Sequence, residues 1–318
     1  MSGLREGHRI SFLHLLFYKR AALFLIIFQD VRRWMHSSTI KTTIMKRLLF
    51  IAAVSLLFSY TKGIAQPLPK TLKKVLELKI PREGGANAAS VAWHPVQKKY
   101  YAAMAGNVDF SVSVFDVKGT RLSPVSQKAL FDIRGLWYNP ATKTLQMNGY
   151  DNFGWAEYKL DAKGLPVSVK NLHEGMNQPD AQSAGAFNPL KNEVYFLGVE
   201  GEIDVYGYKW AEHNEYISLH LGITTGNPDN LDLEKNNSEV IEDYNSTTVI
   251  YTGIKGSEIG LLNYINKQVE LYNKATGFLT KTLQLPDDAP ASDWLNFAYA
   301  NGIYWLFDTE ARIWKGYK

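Results

Sequence analysis

Residues 89–104 read Ala89-Ser90-Val91-Ala92-Trp93-His94-Pro95-Val96-Gln97-Lys98-Lys99-Tyr100-Tyr101-Ala102-Ala103-Met104. Proline fixes its own φ and restricts the residue before it, so Trp93-His94-Pro95 reads as a turn joining two antiparallel strands. The same grammar returns at Tyr138-Asn139-Pro140 and Phe187-Asn188-Pro189. A looser form appears at Tyr244-Asn245-Ser246 and Tyr299-Ala300-Asn301, and the five anchors are spaced by 45, 49, 57 and 55 residues. Each is followed by a run rich in β-branched and aromatic residues: Tyr100 to Met104, Thr144 to Met147, Val194 to Leu197, Thr248 to Thr252 and Ile303 to Phe307. Such runs favour a pleated, half-buried strand.

A second element recurs downstream as apolar-polar alternation ending in Asp or Asn and often a Gly. It appears at Val112 to Asp116 with Gly119, Ala156 to Asp161 with Gly164, Ile203 to Tyr206, and Val269 to Asn273 with Gly277. That pattern is a third strand running into a hairpin turn, with a fourth strand behind it. Four strands per period of this length make one propeller blade. The small residues Ala89-Ser90, Gly135 and Ala184-Gly185, just ahead of three anchors, suit innermost strands that converge on an axis.

The last repeat stops at Arg312 to Lys318, enough for a third strand and no fourth. Lys74 to Pro81, near the other end, closely resembles the fourth strand of the fourth repeat, Lys281 to Pro286. The sequence therefore predicts an all-β, five-bladed β-propeller in which the N-terminal strand closes the last blade and leaves no open sheet edge in the ring. From Thr71 to Lys318 the repeat resembles the bacterial exported β-propellers of the WD40-like, NHL and YncE-like kind. That resemblance implies a repeat scaffold sent out of the cytoplasm and brings no catalytic motif with it.

The charge is uneven along the 318 residues. Residues 1–65 hold ten Lys/Arg against Glu6 and Asp30, and residues 66–318 carry 25 basic and 29 acidic side chains. Met45-Lys46-Arg47, the apolar run Leu48 to Phe58 and the small-residue site Gly63-Ile64-Ala65 have the three parts of a secretory signal peptide, with cleavage expected before Gln66. Residues 45–65 are accordingly read as the signal and residues 66–318 as the propeller. Residues 1–44 read as an upstream extension from a mis-set start, or alternatively as a membrane anchor across Leu13 to Phe28, a segment broken by Lys19 and Arg20. The expected address is periplasmic or extracellular, with no membrane attachment after cleavage. No cysteine occurs, so disulfides, thiolate chemistry and Cys-ligated metals are excluded. The slightly acidic mature chain with dispersed positives argues against nucleic acid as a partner.

Phosphate-loop, dinucleotide, nucleophile-elbow and zincin signatures are absent, and Gly256-Ser257-Glu258-Ile259-Gly260 sets its Ser one place early. His94 fills the turn slot that Asn takes in two other repeats and reads as structural. His213 and His220 are seven apart, on opposite faces of any strand. Asp229, Asp232, Glu234, Glu239, Glu242 and Asp243 lack the calcium-loop spacing and read as a solvated loop.

Positions leading into the innermost strands carry the functional expectation, because five loops converge there at one mouth of the channel. They supply Asn87, Asp132, Arg134, Asp180, Gln182, Glu239, Glu242, Asp293 and Trp294. Asp109-Phe110 and Asp151-Asn152-Phe153, in second-to-third-strand loops, are expected at the same mouth. The expected ligand-binding face is Asn87, Arg134, Asp180, Gln182, Glu242, Asp293 and Trp294, taking a partner protein or a small polar ligand such as a sugar, with the Trp ring against its apolar face. The competing reading is that these groups only hydrogen-bond backbone at the funnel. The enzymatic alternative is a metal-assisted hydrolase or lactonase with one divalent cation on the axis, or a glycosidase using a carboxylate pair such as Glu242 and Asp293. The binding reading needs no metal or cofactor.

Overall fold

A computed structural model describes residues 69–200, 202–212, 215–221 and 242–318. The leader readings, His213, Asp229, Asp232, Glu234 and Glu239 lie outside these residues. The described chain forms twenty strands, β1 Lys70–Thr71 to β20 Ile313–Tyr317. They make five sheets whose inner strands are β3 Ala88–His94, β6 Ile133–Asn139, β10 Ala186–Asn188, β14 Ile250–Tyr251 and β18 Phe297–Ala300. Those five touch one another in cyclic order, β3 to β6 to β10 to β14 to β18 and back to β3. A five-bladed β-propeller follows from this pairing alone.

Each blade is a single sheet with apolar side chains on both faces, which are buried only against its neighbours. Five apolar clusters result, one at each junction. Leu136, Met147 and Tyr158 of the second blade meet Tyr101 and Val114 of the first. Trp137 and Trp155 of the second meet Phe196 and Tyr208 of the third. Tyr195 and Val205 meet Leu261 and Tyr272, Leu262 and Leu283 meet Phe297 and Leu306, and Trp305 and Trp314 meet Val91 and Tyr100.

The ring closes as its sequence indicates. β2, Lys74–Lys79, lies antiparallel to β20 as the outer strand of the last blade, with Leu78 opposite Trp314 and Lys79 opposite Ile313. Arg312, nearly buried, lays its guanidinium on the carbonyls of Pro81 and Gly84, and Lys73 and Lys318 exchange backbone hydrogen bonds of 3.0 and 2.9 Å. β1 goes further than expected: it pairs parallel with β17, Leu279–Gln284, and adds a fifth strand to the fourth blade.

Two expectations are corrected. Thr248 to Thr252 is not the second strand of the fourth repeat. Ile250–Tyr251 is its inner strand and Ile259–Asn263 (β15) its second, so the anchor is Tyr251 and not Tyr244. Tyr244-Asn245-Ser246 resembles an anchor but lacks the Pro that would enforce the turn, and Asn245 instead holds the neighbouring blade. The first blade has three strands, β3, β4 (Lys99–Met104) and β5 (Val112–Phe115). Its outer position is taken by irregular chain with bridges at Arg121 and Lys128, where Pro124 removes a ladder donor.

The turn reading of His94 holds. Its Nδ1 accepts from Gln97 N at 3.3 Å, as Asn139 and Asn188 Oδ1 accept from Ala141 and Leu190 N at 3.0 Å. Burial holds the His94 imidazole below its ordinary range, so the neutral acceptor form is the one favoured.

Candidate functional site

Convergence at the mouth begins with missing side chains. A Cβ on Gly135 would lie 2.5 Å from Gly185 N and 2.4 Å from Asn148 Oδ1, so only glycine lets the second and third blades approach this closely. Between the third and fourth blades, Ala184 N donates to Thr247 O at 2.9 Å. Three asparagines then fasten blade to blade. Asn148 accepts from Gly135 N and Gly185 N, both 2.9 Å, and donates to Gln178 Oε1 at 2.6 Å and Ser183 O at 2.8 Å. Asn245 donates to Ser292 O and Leu295 O at 2.9 Å, from the fourth blade to the segment leading into the fifth. Asn296 accepts from Ala88 N at 2.8 Å and donates to Asn87 Oδ1 at 3.2 Å, joining the fifth blade to the first.

Against this frame the sequence-derived residues divide. Asn87 is tied to Asn296. Arg134 is 3% exposed: its Nη1 donates to Asp132 Oδ1 at 2.7 Å, its Nε to Gln182 Oε1 at 2.6 Å, and the guanidinium lies 4.7 Å from the Tyr150 ring centroid. Glu242 and Asp293 are exposed and do not line the cavity of Asp180, Gln182 and Trp294, although Asp293 O accepts from Ser246 N at 2.8 Å. Burial, and then the carboxylates of Asp293, Asp243 and Glu242, hold the Tyr264 hydroxyl above the usual phenol range. Asp151 reaches the same mouth, donating its backbone N–H to Ala181 O at 3.1 Å.

Asp180, Gln182 and Trp294 come together. They line a cavity of about 600 Å³ with Gln178, Ser183, Ser246 and Thr247, walled by Leu197, Tyr206 and Tyr208 of the third blade. Gly198 makes room for that wall, since a Cβ there would sit 2.1 Å from the Tyr206 ring. Asp180 spends Oδ1 on Gln182 N at 2.8 Å, which leaves Oδ2 as an exposed acceptor. With Gln182 Oε1 held by Arg134, the amide NH2 is the group turned to other partners. The cavity thus offers a carboxylate acceptor, an amide donor, the Ser246 hydroxyl and the half-buried face of Trp294. Tyr206, Tyr208, Ser246 and Thr247 were not legible as site residues: the tyrosines alternate like any strand residue, and the other two follow the displaced fourth anchor.

Among the described residues no three His, Asp or Glu side chains gather as a ligand set for a metal ion, and no helix is long and apolar enough to cross a membrane. No family model and no curated protein matches this chain in sequence. Similar solved structures include the glutaminyl cyclase of Myxococcus xanthus, 10% identical over 80% of this chain and 98% of that one, TM-score 0.45. Others are an auxiliary nutrient-binding protein of Bacteroides thetaiotaomicron (11% identical, 74% and 60% covered, TM-score 0.39) and a chain of a nidogen/laminin complex (13%, 64% and 66%, TM-score 0.38). This chain spans less than two thirds of the length of those last two. The strand pairing and the mouth together define the class, a closed five-bladed propeller with a polar, aromatic-walled cavity at one end of its axis.

Proposed function

We propose that this chain is an exported propeller that binds a small, uncharged, hydroxyl-rich ligand of the sugar type in the mouth cavity. One observation carries the reading: Asp180 and Gln182, from the loop leading into the third blade, and Trp294, from the loop leading into the fifth, line a single cavity and present an acceptor, a donor and an aromatic face. Sugars display that combination, hydroxyls around the rim and an apolar C–H face for a ring to cover. Arg134 is a positioning residue here, clamping Gln182 so that its donor points away from the guanidinium. The signal-like segment 45–65 supports an exported setting, in which such ligands are met before uptake.

The test is calorimetric titration of the protein, taken from the exported fraction, with a panel of neutral mono- and disaccharides. N-terminal sequencing of that fraction is expected to begin at Gln66, and a start before Met45 overturns the reading of residues 1–44 as an upstream extension and of residues 45–65 as a cleaved signal. At least one sugar binds, and Trp294→Ala weakens it about tenfold or more, the equivalent of about 1.4 kcal/mol, with an unchanged melt. No binding across the panel, or full binding by Trp294→Ala, removes the mouth cavity as the site.

A further inference from the structure

The corrected anchor positions place one aromatic residue of every blade at the same level of the axis. Trp93, Tyr138, Phe187, Tyr251 and Tyr299 stand at or next to the last residue of their inner strands, at the end away from the polar mouth. All five line the central cavity of about 420 Å³, between the five inner strands. That volume falls in the roughly 300–1,000 Å³ range of small-molecule sites, which are mostly apolar and aromatic-lined. Among the described residues no Asp, Glu, Lys, Arg or His lines it. The polar mouth, by contrast, carries Asp180, Glu242 and Asp293.

Access is also one-sided in character. At the polar mouth the segments entering the inner strands of the second, third and fourth blades come close backbone to backbone, at Gly135 with Gly185 and at Ala184 with Thr247. The five aromatic residues stand at the opposite end of the inner strands, each also packed against its junction cluster. Each inner strand is the edge of its sheet, so one row of its N–H and C=O groups faces the axis without a strand partner. These groups accept water or a few polar atoms of a ligand, whereas a charged ligand would be buried with no counter-charge, at high cost.

We infer that the channel is a second binding site, entered through the five-aromatic collar, for an uncharged, largely apolar ring compound. Aromatic side chains gain from offset or edge-to-face contact with such a ring beyond simple area burial. This site is independent of the mouth cavity and stands whether or not sugars bind there.

Fluorescence titration with N-phenyl-1-naphthylamine, which is uncharged, tests it on the intact exported chain. Saturable emission at one dye per chain is expected. The anionic relative 1-anilinonaphthalene-8-sulfonate should bind at least about tenfold more weakly to the same protein, a comparison that needs no variant. Tyr299→Asp and Tyr251→Asp, each checked by its melt, place a charge in the collar and are expected to cost the uncharged dye a similar factor, while Trp294→Ala leaves it unaffected. Non-saturating emission, equal binding of the sulfonate, or native dye binding by a folded collar variant overturns the proposal.

Discussion

Asn148→Ala is expected to lower the melting temperature by about 6 °C or more. Asn148 is fully buried, and its one amide meets four partners across the junction of the second and third blades. Truncation leaves the N–H groups of Gly135 and Gly185 without an acceptor, and Gln178 Oε1 and Ser183 O without that donor. Each buried polar group left unmade costs roughly 1–3 kcal/mol, so about 3 kcal/mol is a low total after relaxation. In a domain of this size, each kcal/mol moves the midpoint by about 2–4 °C. Asn152, exposed one loop away, is the control, and Asn152→Ala should shift stability by no more than about 0.5 kcal/mol. Equal melts for the two variants would show that the junction is held by its apolar cluster alone.

Removing residues 66–81 should have a still larger effect, loss of the cooperative thermal transition. The segment supplies the outer strand of the fifth blade and the added parallel strand of the fourth. It also carries Leu72, Leu78 and Ile80, at 2%, 0% and 5% exposure. Full burial of such a side chain is worth about 1.5–3 kcal/mol, and three of them approach the roughly 5–15 kcal/mol that holds a whole domain folded. Trp314 would be uncovered as well, and the Arg312 guanidinium would lose the Pro81 carbonyl. A truncated chain that melts like the intact one contradicts the closure.

Much of this architecture is visible in the residues because a propeller repeats its local chemistry. The aromatic-Asn/His-Pro turn marks three inner strands, and the likeness of Lys74–Pro81 to Lys281–Pro286 marks the strand that closes the ring. The reading slips where local signal and tertiary role separate. In the fourth repeat the inner strand is two residues long and has no proline turn, so Tyr244-Asn245-Ser246 offers the better imitation. Positive φ at Lys98, Lys143 and Asn192, just before the second strands, is a shared feature of those three turns that no residue type announces.

At the mouth, sequence identifies which residues lead into the inner strands and cannot say how each spends its hydrogen bonds. Arg134 and Asn87 look as available as Asp180 and Gln182 until the partners are seen. Four of the five collar aromatics, Trp93, Tyr138, Phe187 and Tyr299, are already turn markers in the sequence, and only the ring geometry adds Tyr251 and turns them into one lining.

The closure is tested most directly by a covalent link between the two ends of the described chain. Glu77 and Lys315 face each other across β2 and β20. Opposed residues in an antiparallel pair have Cα atoms about 4.5–5.5 Å apart, within disulfide reach. The chain has no cysteine of its own, so a Glu77→Cys, Lys315→Cys variant reports on this pair alone. Under mild oxidation of the folded protein we expect near-complete intramolecular disulfide, read as a faster-migrating species on non-reducing gels, and a raised melting temperature. Two thiols that stay free in the folded, oxidised protein would mean that the N-terminal strand does not complete the last blade.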